Sequence, residues 1–194
     1  MATNNEIEFK QLLSKSQYKS IYDKYFQDMQ PFSQTNYYID TPNFDLRAHR
    51  SALRIRVKQD FYEMTLKVPA EVGLMEYNFE TRIIPELNKP VLANDLPTEI
   101  AEQLDQMNID TQQLVILGAL TTLRVEREIH GNLLVLDKSD YLNHQDYELE
   151  YEVEDYDEGL IQFKHILEAF EIEYETPDNK VQRFFNRKST LNSN

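Results

Sequence analysis

The sequence predicts an α+β chain in which eight antiparallel strands close into a barrel and helices cover its outside. Three observations carry that prediction. Segment after segment alternates polar and apolar residues with period 2, the mark of a strand with two unlike faces. The polar members are largely charged and sorted by sign: carboxylates in Glu6-Ile7-Glu8-Phe9-Lys10 and Tyr147-Glu148-Leu149-Glu150-Tyr151-Glu152-Val153, cations in Leu53-Arg54-Ile55-Arg56-Val57-Lys58. Finally, the intervening segments carry apolar stripes at helical spacing and need an apolar surface to pack on. For any single strand the charged side would ordinarily meet water. Helices laid on the outer, apolar faces reverse that expectation and turn the charged faces inward. Eight strands suffice to enclose one small ligand.

Each element has its own signal. After the first strand, Tyr18, Ile21, Tyr22, Tyr25 and Phe26 predict a helix over about 14–28, with Ser14 or Ser16 as N-cap. Gln34–Asp40 alternates again, and Thr41-Pro42 favours a turn or a helix start with proline at N1. Strands over about 52–59 and 62–68, linked by Asp60-Phe61, form a hairpin, and a fifth strand is predicted over 74–84. On that strand Asn78 stands between Glu76 and Glu80, and Lys58 and Glu76 are expected at the mouth of the barrel. Pro85, Pro90 and Pro97 then break the pattern, and Ile100, Leu104 and Met107 suggest a helix from Pro97. Strands over about 120–129 and 133–138 flank a turn at His130-Gly131-Asn132 and precede the Glu148 strand. Leu160, Phe163, Leu167 and Phe170 mark a helix over about 157–171. The segment 178–188 is predicted helical with Asp178 as cap, giving three or four helices in all. One domain over 1–190 and a polar tail over 191–194 complete the reading.

Composition narrows the function. A chain of 194 residues, 41% of them hydrophobic, can build one well-buried core. Its net charge of −14 argues against a general nucleic-acid surface, which demands clustered cations. No apolar run reaches the length of a membrane span, Met1–Lys10 does not read as a signal segment, and there are no cysteines; a cytoplasmic protein is expected. The four histidines lack metal-ligand spacing, the four glycines form no phosphate loop, and no serine stands in a nucleophile elbow.

An N-terminal Glu-x-Glu-x-Lys strand, a central Arg-x-Arg strand and a late Glu-x-Glu strand, in that order, resemble the CYTH family, also called triphosphate tunnel metalloenzymes, and most of all its YjbK-like branch. Tyr37-Tyr38-Ile39-Asp40-Thr41-Pro42 resembles the family's second strand and its Asp-Thr-Pro turn. The resemblance implies a closed antiparallel tunnel barrel whose charged lumen binds a triphosphate with divalent metal. It implies that Glu6, Glu8 and Lys10 are the signature strand and that Glu148 and Glu150 are a metal-binding pair. Arg54 and Arg56 match the phosphate-binding pair, Lys67 and Arg124 match single basic positions, and Lys180 and Arg183 match the basic residues of the closing C-terminal helix. Glu152 is an addition to the pattern, a metal ligand or a solvated strand end.

Charges buried in a lumen must pair, stay hydrated or bind ions. Phosphoryl transfer needs positioning and charge stabilisation more than covalent chemistry. The expected phosphate contacts are Lys10, Arg54, Arg56, Lys67, Arg82, Arg124, Lys180 and Arg183. Carboxylates without histidine or cysteine suit Mg2+ or Mn2+, with Glu6, Glu8, Glu148, Glu150 and Glu152 as ligands. The catalytic set is then Glu6, Glu8, Lys10, Glu148 and Glu150; Glu80 and Asp137 are weaker metal candidates, and whether Glu76, Glu80, Glu126, Asp137 and Glu152 face the lumen stays open. The expected activity is metal-dependent hydrolysis of a small polyanion, inorganic tripolyphosphate above all. Alternatives are an organic triphosphate, as in thiamine triphosphatase, RNA triphosphatase or adenylate cyclase, and a non-catalytic polyphosphate or nucleotide module. No membrane partner is expected, and the oligomeric state is open.

Overall fold

The computed structural model describes residues 2–192; residues 193 and 194 of the expected tail lie outside the described residues. Eight strands run antiparallel: β1 (Ala2–Leu13), β2 (Phe32–Asp40), β3 (Ala52–Lys58), β4 (Phe61–Pro69), β5 (Leu74–Glu80), β6 (Val115–Ile129), β7 (Asn132–Tyr141) and β8 (His144–Val153). They form a closed barrel in the order β1-β5-β4-β3-β2-β6-β7-β8. The helices are α1 (Lys15–Tyr25), α2 (Asp45–Ala48), α3 (Thr98–Gln106), α4 (Tyr156–Glu168) and α5 (Lys180–Asn192). The single turn α2 follows the Thr41-Pro42 segment, where the sequence allowed a turn or a helix start. None of the described helices is long and apolar enough to cross a membrane.

The chain divides into two compact units, one built on Gln34–Leu120 and the other on Glu6–Ser33 together with the chain from Thr121. In the first, Ile39, Leu53, Ile55, Met64 and Leu66 pack with Leu46 of α2 and with Ile100 and Leu104 of α3. The alternate residues occupy the other face, where Arg54 pairs in register with Thr65 and Thr65 with Asn78. In the second unit, Phe9, Leu13, Leu134, Leu136, Leu149 and Tyr151 pack with Ile21 of α1, with Phe26 at its C-cap and with Phe163 and Leu167 of α4. Its opposite face carries the registers Lys10 to Glu150, Asp137 to Glu148 and Arg124 to Asp137. The reversal of polarity therefore holds in each unit: helices use the apolar faces, and Asp137 and Glu148 on the other side are fully buried.

Local chemistry sets the ends of these elements. Ser14 caps α1 in a capping box, accepting from the Gln17 amide while Gln17 accepts from the amide of Ser14. The same reciprocal pair joins Asn179 and Gln182 at the start of α5, so Asn179, not Asp178, is the cap. Lys58 pairs with Phe61, which shifts the β3–β4 link to Gln59-Asp60, with Gln59 at φ 53°. Asp40 accepts from the amides of Thr41, Leu46 and Arg47 at 2.7, 2.9 and 3.1 Å, and this folds the Asp-Thr-Pro segment into a turn. Pro42 consequently lies outside α2, which starts at Asp45 after Phe44 in the left-handed region. In α4 the absence of a side chain at Gly159 permits close approach to β8, since a Cβ there would lie 2.6–2.8 Å from Val153 side-chain atoms.

Candidate active site

Period 2 places the charged side chains of β1, β6, β7 and β8 on one face, and cross-strand register makes them neighbours. Arg124 on β6 grips Asp137 on β7 through one edge of its guanidinium, Nε to Oδ1 at 2.8 Å and Nη2 to Oδ2 at 2.7 Å. The same Nη2 reaches Glu150 Oε2 on β8 at 2.7 Å. Helix α5 supplies two more cations. Lys180 Nζ is 2.5 Å from Glu148 Oε1, 2.5 Å from Glu150 Oε1 and 2.8 Å from Asp137 Oδ2. Arg183 Nη1 donates to Glu148 Oε2 at 2.5 Å. On β1, Lys10 pairs with Glu8.

Burial alone would push each of these groups toward its neutral form. It lowers Lys180, but Asp137, Glu148 and Glu150 outweigh it, and the ammonium ends well above its usual range. Lys10 behaves likewise against Glu8, Glu150 and Glu148. Among the carboxylates the outcomes diverge. Lys180 and Arg124 overcome the burial of Glu150 and hold it well below the usual carboxylate range. Glu148, buried and facing Glu150, is raised to about 7 despite Lys180 and Arg183. Burial, then repulsion from Glu6 and Glu150, also raises Glu152 to about 7.

The other unit presents a more basic face. Lys67 on β4 pairs with Glu76 on β5 at 2.6 Å. Burial raises Glu76, yet Lys67 and Arg54, helped by hydrogen bonds from Lys67 and Asn78, lower it to about 2. Asn78 donates to Glu76 at 3.1 Å and accepts from Thr65 at 2.8 Å, while Arg56 Nε donates to Asn36 at 3.2 Å. Arg54 Nε is buried with no hydrogen-bond partner among the described residues.

Most of the expected site residues lie on these two faces, though not all where the sequence placed them. Glu76, expected at the mouth, is buried with Lys67, because Lys67 and Glu76 are directly paired in the β4–β5 register. Arg82 lies beyond the end of β5 at Glu80 and is exposed, because no strand ladder continues into the chain leading to Pro85. Glu80 is exposed as well, and Glu126 stands 3.7 Å from Arg124. Glu6 and Glu152 are half-buried. Asp137, left open in the sequence, sits among Arg124 and Lys180. Asp146, which no sequence argument singled out, accepts from Arg183 Nε at 3.0 Å. Its signal was the alternation itself, since Asp146, Glu148, Glu150 and Glu152 are successive members of one strand face.

The profile of the CYTH domain matches residues 4–185. The chain belongs to the CYTH family. It is 38% identical over 190 residues, 97% of this chain and 98% of the other, to YjbK of Bacillus subtilis (strain 168), whose name provisionally makes it a triphosphatase. Among solved structures of similar fold is a Bacillus halodurans protein provisionally named an adenylate cyclase. It is 33% identical, with a TM-score of 0.82 over 95% of this chain and all of that one. Another is HpAC1 from Hippeastrum, provisionally an adenylyl cyclase and described as having a dominant triphosphatase activity. It is 25% identical, with a TM-score of 0.75 over 93% and 95% of the two chains. YjbK and HpAC1 support triphosphatase chemistry at the level of the CYTH family.

Members of this family of metalloenzymes use divalent metals, and the donors here suit one chemically: three carboxylates aim oxygens at a single cationic point, the Lys180 ammonium. Among the described residues no group of three or more Asp, Glu or His side chains stands arranged to hold a metal ion unaided. The oxygens that such an ion would take from Glu148 and Glu150 are the ones that Lys180 and the two arginines now engage.

Proposed function

We propose that this CYTH protein is a divalent-metal-dependent triphosphate hydrolase with inorganic tripolyphosphate as its substrate. The observation that carries the reading is the buried Arg54 Nε, left without a partner among the described residues beside Arg56 and the Lys67–Glu76 pair. A guanidinium desolvated without an acceptor is costly unless an anion completes it, and phosphate oxygens match its planar fork. In this reading Arg54 and Arg56 bind phosphate oxygens, and Glu76 holds the Lys67 side chain in place for the same task. Glu6, Glu8, Glu148, Glu150 and Glu152 hold Mg2+ or Mn2+, while Lys10, Arg124, Lys180 and Arg183 balance the carboxylates and meet the polyanion. Bound metal supplies charge neutralisation at the phosphate and an acidified water. The catalytic set is Glu6, Glu8, Lys10, Glu148 and Glu150.

The test is phosphate release from tripolyphosphate, long-chain polyphosphate, thiamine triphosphate and ATP, each with Mg2+ and with Mn2+. Turnover of tripolyphosphate should exceed the others, and Arg54→Ala should weaken its binding by about tenfold or more, the value of one charge-assisted contact. Metal-independent release, or no release from any of the four, would refute the reading. The Bacillus halodurans relative's name supports a second reading, cyclisation of ATP, which product analysis separates through cyclic AMP and pyrophosphate.

A further inference from the structure

Arg183 divides its guanidinium between two partners on β8. One edge faces Glu148, to which Nη1 donates at 2.5 Å, with the Asp178 carbonyl at 2.6 Å from the same nitrogen. The other edge faces Asp146, with Nε at 3.0 Å from Oδ2 and Nη2 at 3.4 Å from Oδ1. Asp146 is itself held, because the Tyr141 hydroxyl donates to its Oδ2 at 2.8 Å. Tyr141 and Asp146 flank the β7–β8 turn, whose Leu142 and Asn143 adopt φ 46° and 55°, the left-handed pair of a tight hairpin. The hairpin also touches α5 directly: the Tyr141 ring lies 6.2 Å from that of Phe184, and Arg187 Nε is 3.4 Å from the Leu142 carbonyl. Burial, then Asp146, raises the Tyr141 phenol, so it remains a donor throughout the neutral range.

We propose that Asp146, fixed by Tyr141, is a positioning residue that sets the orientation of the Arg183 guanidinium. An arginine side chain has several rotatable bonds, and one hydrogen-bonded edge alone leaves its plane free to turn. With Nε and Nη2 occupied by Asp146, the Nη1 edge is directed at Glu148 before any ligand arrives. The assignment of Arg183 to a phosphate oxygen rests on the triphosphatase reading; the positioning contact does not. Its chemistry also predicts why lysine is a poor substitute at 183, since an ammonium cannot satisfy both carboxylates through fixed edges.

Two measurements test the proposal. In steady-state hydrolysis of tripolyphosphate with Mg2+, Asp146→Asn should raise KM about tenfold with kcat changed far less, as expected for lost binding geometry. Tyr141→Phe, which keeps the ring packed on Phe184, should raise KM about threefold. In an Arg183→Lys background, Asp146→Asn should add nearly nothing, because the edge it orients is gone. Equal factors in both backgrounds, or a fall in thermal stability with KM unchanged, would overturn the proposal in favour of a purely structural hairpin contact. The second measurement is the arginine Nε–Hε resonance of the ligand-free protein, assigned by its loss in Arg183→Lys. It should be protected from solvent exchange in the wild type and lose that protection in Asp146→Asn and, in part, in Tyr141→Phe. If that signature is present but the wild type hydrolyses no triphosphate, the positioning contact stands and the proposed function falls. If Arg183 shows no dependence on Asp146, the proposal falls whatever the enzyme does.

Discussion

Replacing Lys180 by methionine removes a charge while keeping most of the side-chain volume, and the surrounding distances set the size of the effect. Its ammonium serves Glu148, Glu150 and Asp137 within 2.8 Å. Breaking a buried ion pair by deleting one partner costs about 3–5 kcal/mol. None of the three carboxylates is wholly abandoned, since Glu148 keeps Arg183 and the other two keep Arg124. The lower end, about 3 kcal/mol, is therefore the expectation. For a chain of 194 residues the unfolding entropy is roughly 0.4 kcal/mol per kelvin, so Tm should fall by about 7 °C at neutral pH. The pH dependence has a definite sign. Glu148, already raised to about 7 by burial with Lys180 in place, rises further when that cation is removed. The penalty is complete above the folded value and disappears as pH falls toward the unfolded one. The gap between variant and wild type should therefore narrow from pH 8 to pH 5. Thermal unfolding followed by circular dichroism at constant ionic strength measures both quantities. Added Mg2+ should restore more stability to the variant than to the wild type, because the ammonium no longer competes for the same oxygens. A fall of less than about 2 °C, or the same fall at pH 5 and pH 8, would refute the reasoning.

Three other outcomes follow from particular contacts. Glu152 is raised to about 7 from an ordinary 4.5, so its ionisation opposes folding as pH rises through that interval. Glu152→Gln should stabilise the fold at pH 8 by roughly 1–2 kcal/mol once its partial exposure is allowed for, seen as a raised Tm, and change it little at about pH 4. Glu76 is lowered to about 2 from 4.5, so its contribution is complete above pH 4.5 and is lost as pH falls toward 2. Glu76→Gln should cost about 2–3 kcal/mol at pH 7 and progressively less below pH 4, read from urea unfolding at each pH. Gly159→Ala should destabilise the chain by about 1–3 kcal/mol through collision with Val153, despite alanine's better helix propensity. Val153→Ala should recover part of that loss in the double variant, and a stabilised single variant would show that β8 yields.

The sequence revealed most where the information is local. Strand alternation is a property of neighbours, so the cation row on β3 and the carboxylate rows on β1 and β8 were legible at once, as was the capping box at Ser14. β7 was harder because Leu133-Leu134-Val135-Leu136 reads as a uniformly apolar run. Val135 shares its face with Asp137 but is itself apolar, which hid the polar face. The extra length of β6 was hidden similarly by Gly118 within an apolar stretch. Which charge meets which was not legible, because it depends on cross-strand register and on helix packing. Nothing local indicates that Lys67 faces Glu76 or that Arg183 reaches Asp146 across 37 positions of chain. Arg82 was misplaced for the opposite reason: its alternation continued in the sequence after the ladder had ended.

The burial of so many opposite charges gives this protein an unusual relation between endurance and use. Buried ion clusters are often matched or bettered in stability by apolar side chains of similar volume, provided that all partners change together. Arg124, Asp137 and Glu150 form such a cluster on adjoining strands, beside Val135, which is already apolar on the same face. A library sorted on heat resistance alone would therefore drift toward leucine and methionine at these positions and yield a sturdier, empty shell. Under that screen, the buried charged positions would be the first to go, and the order of their loss would draw a map of the site without any substrate being added.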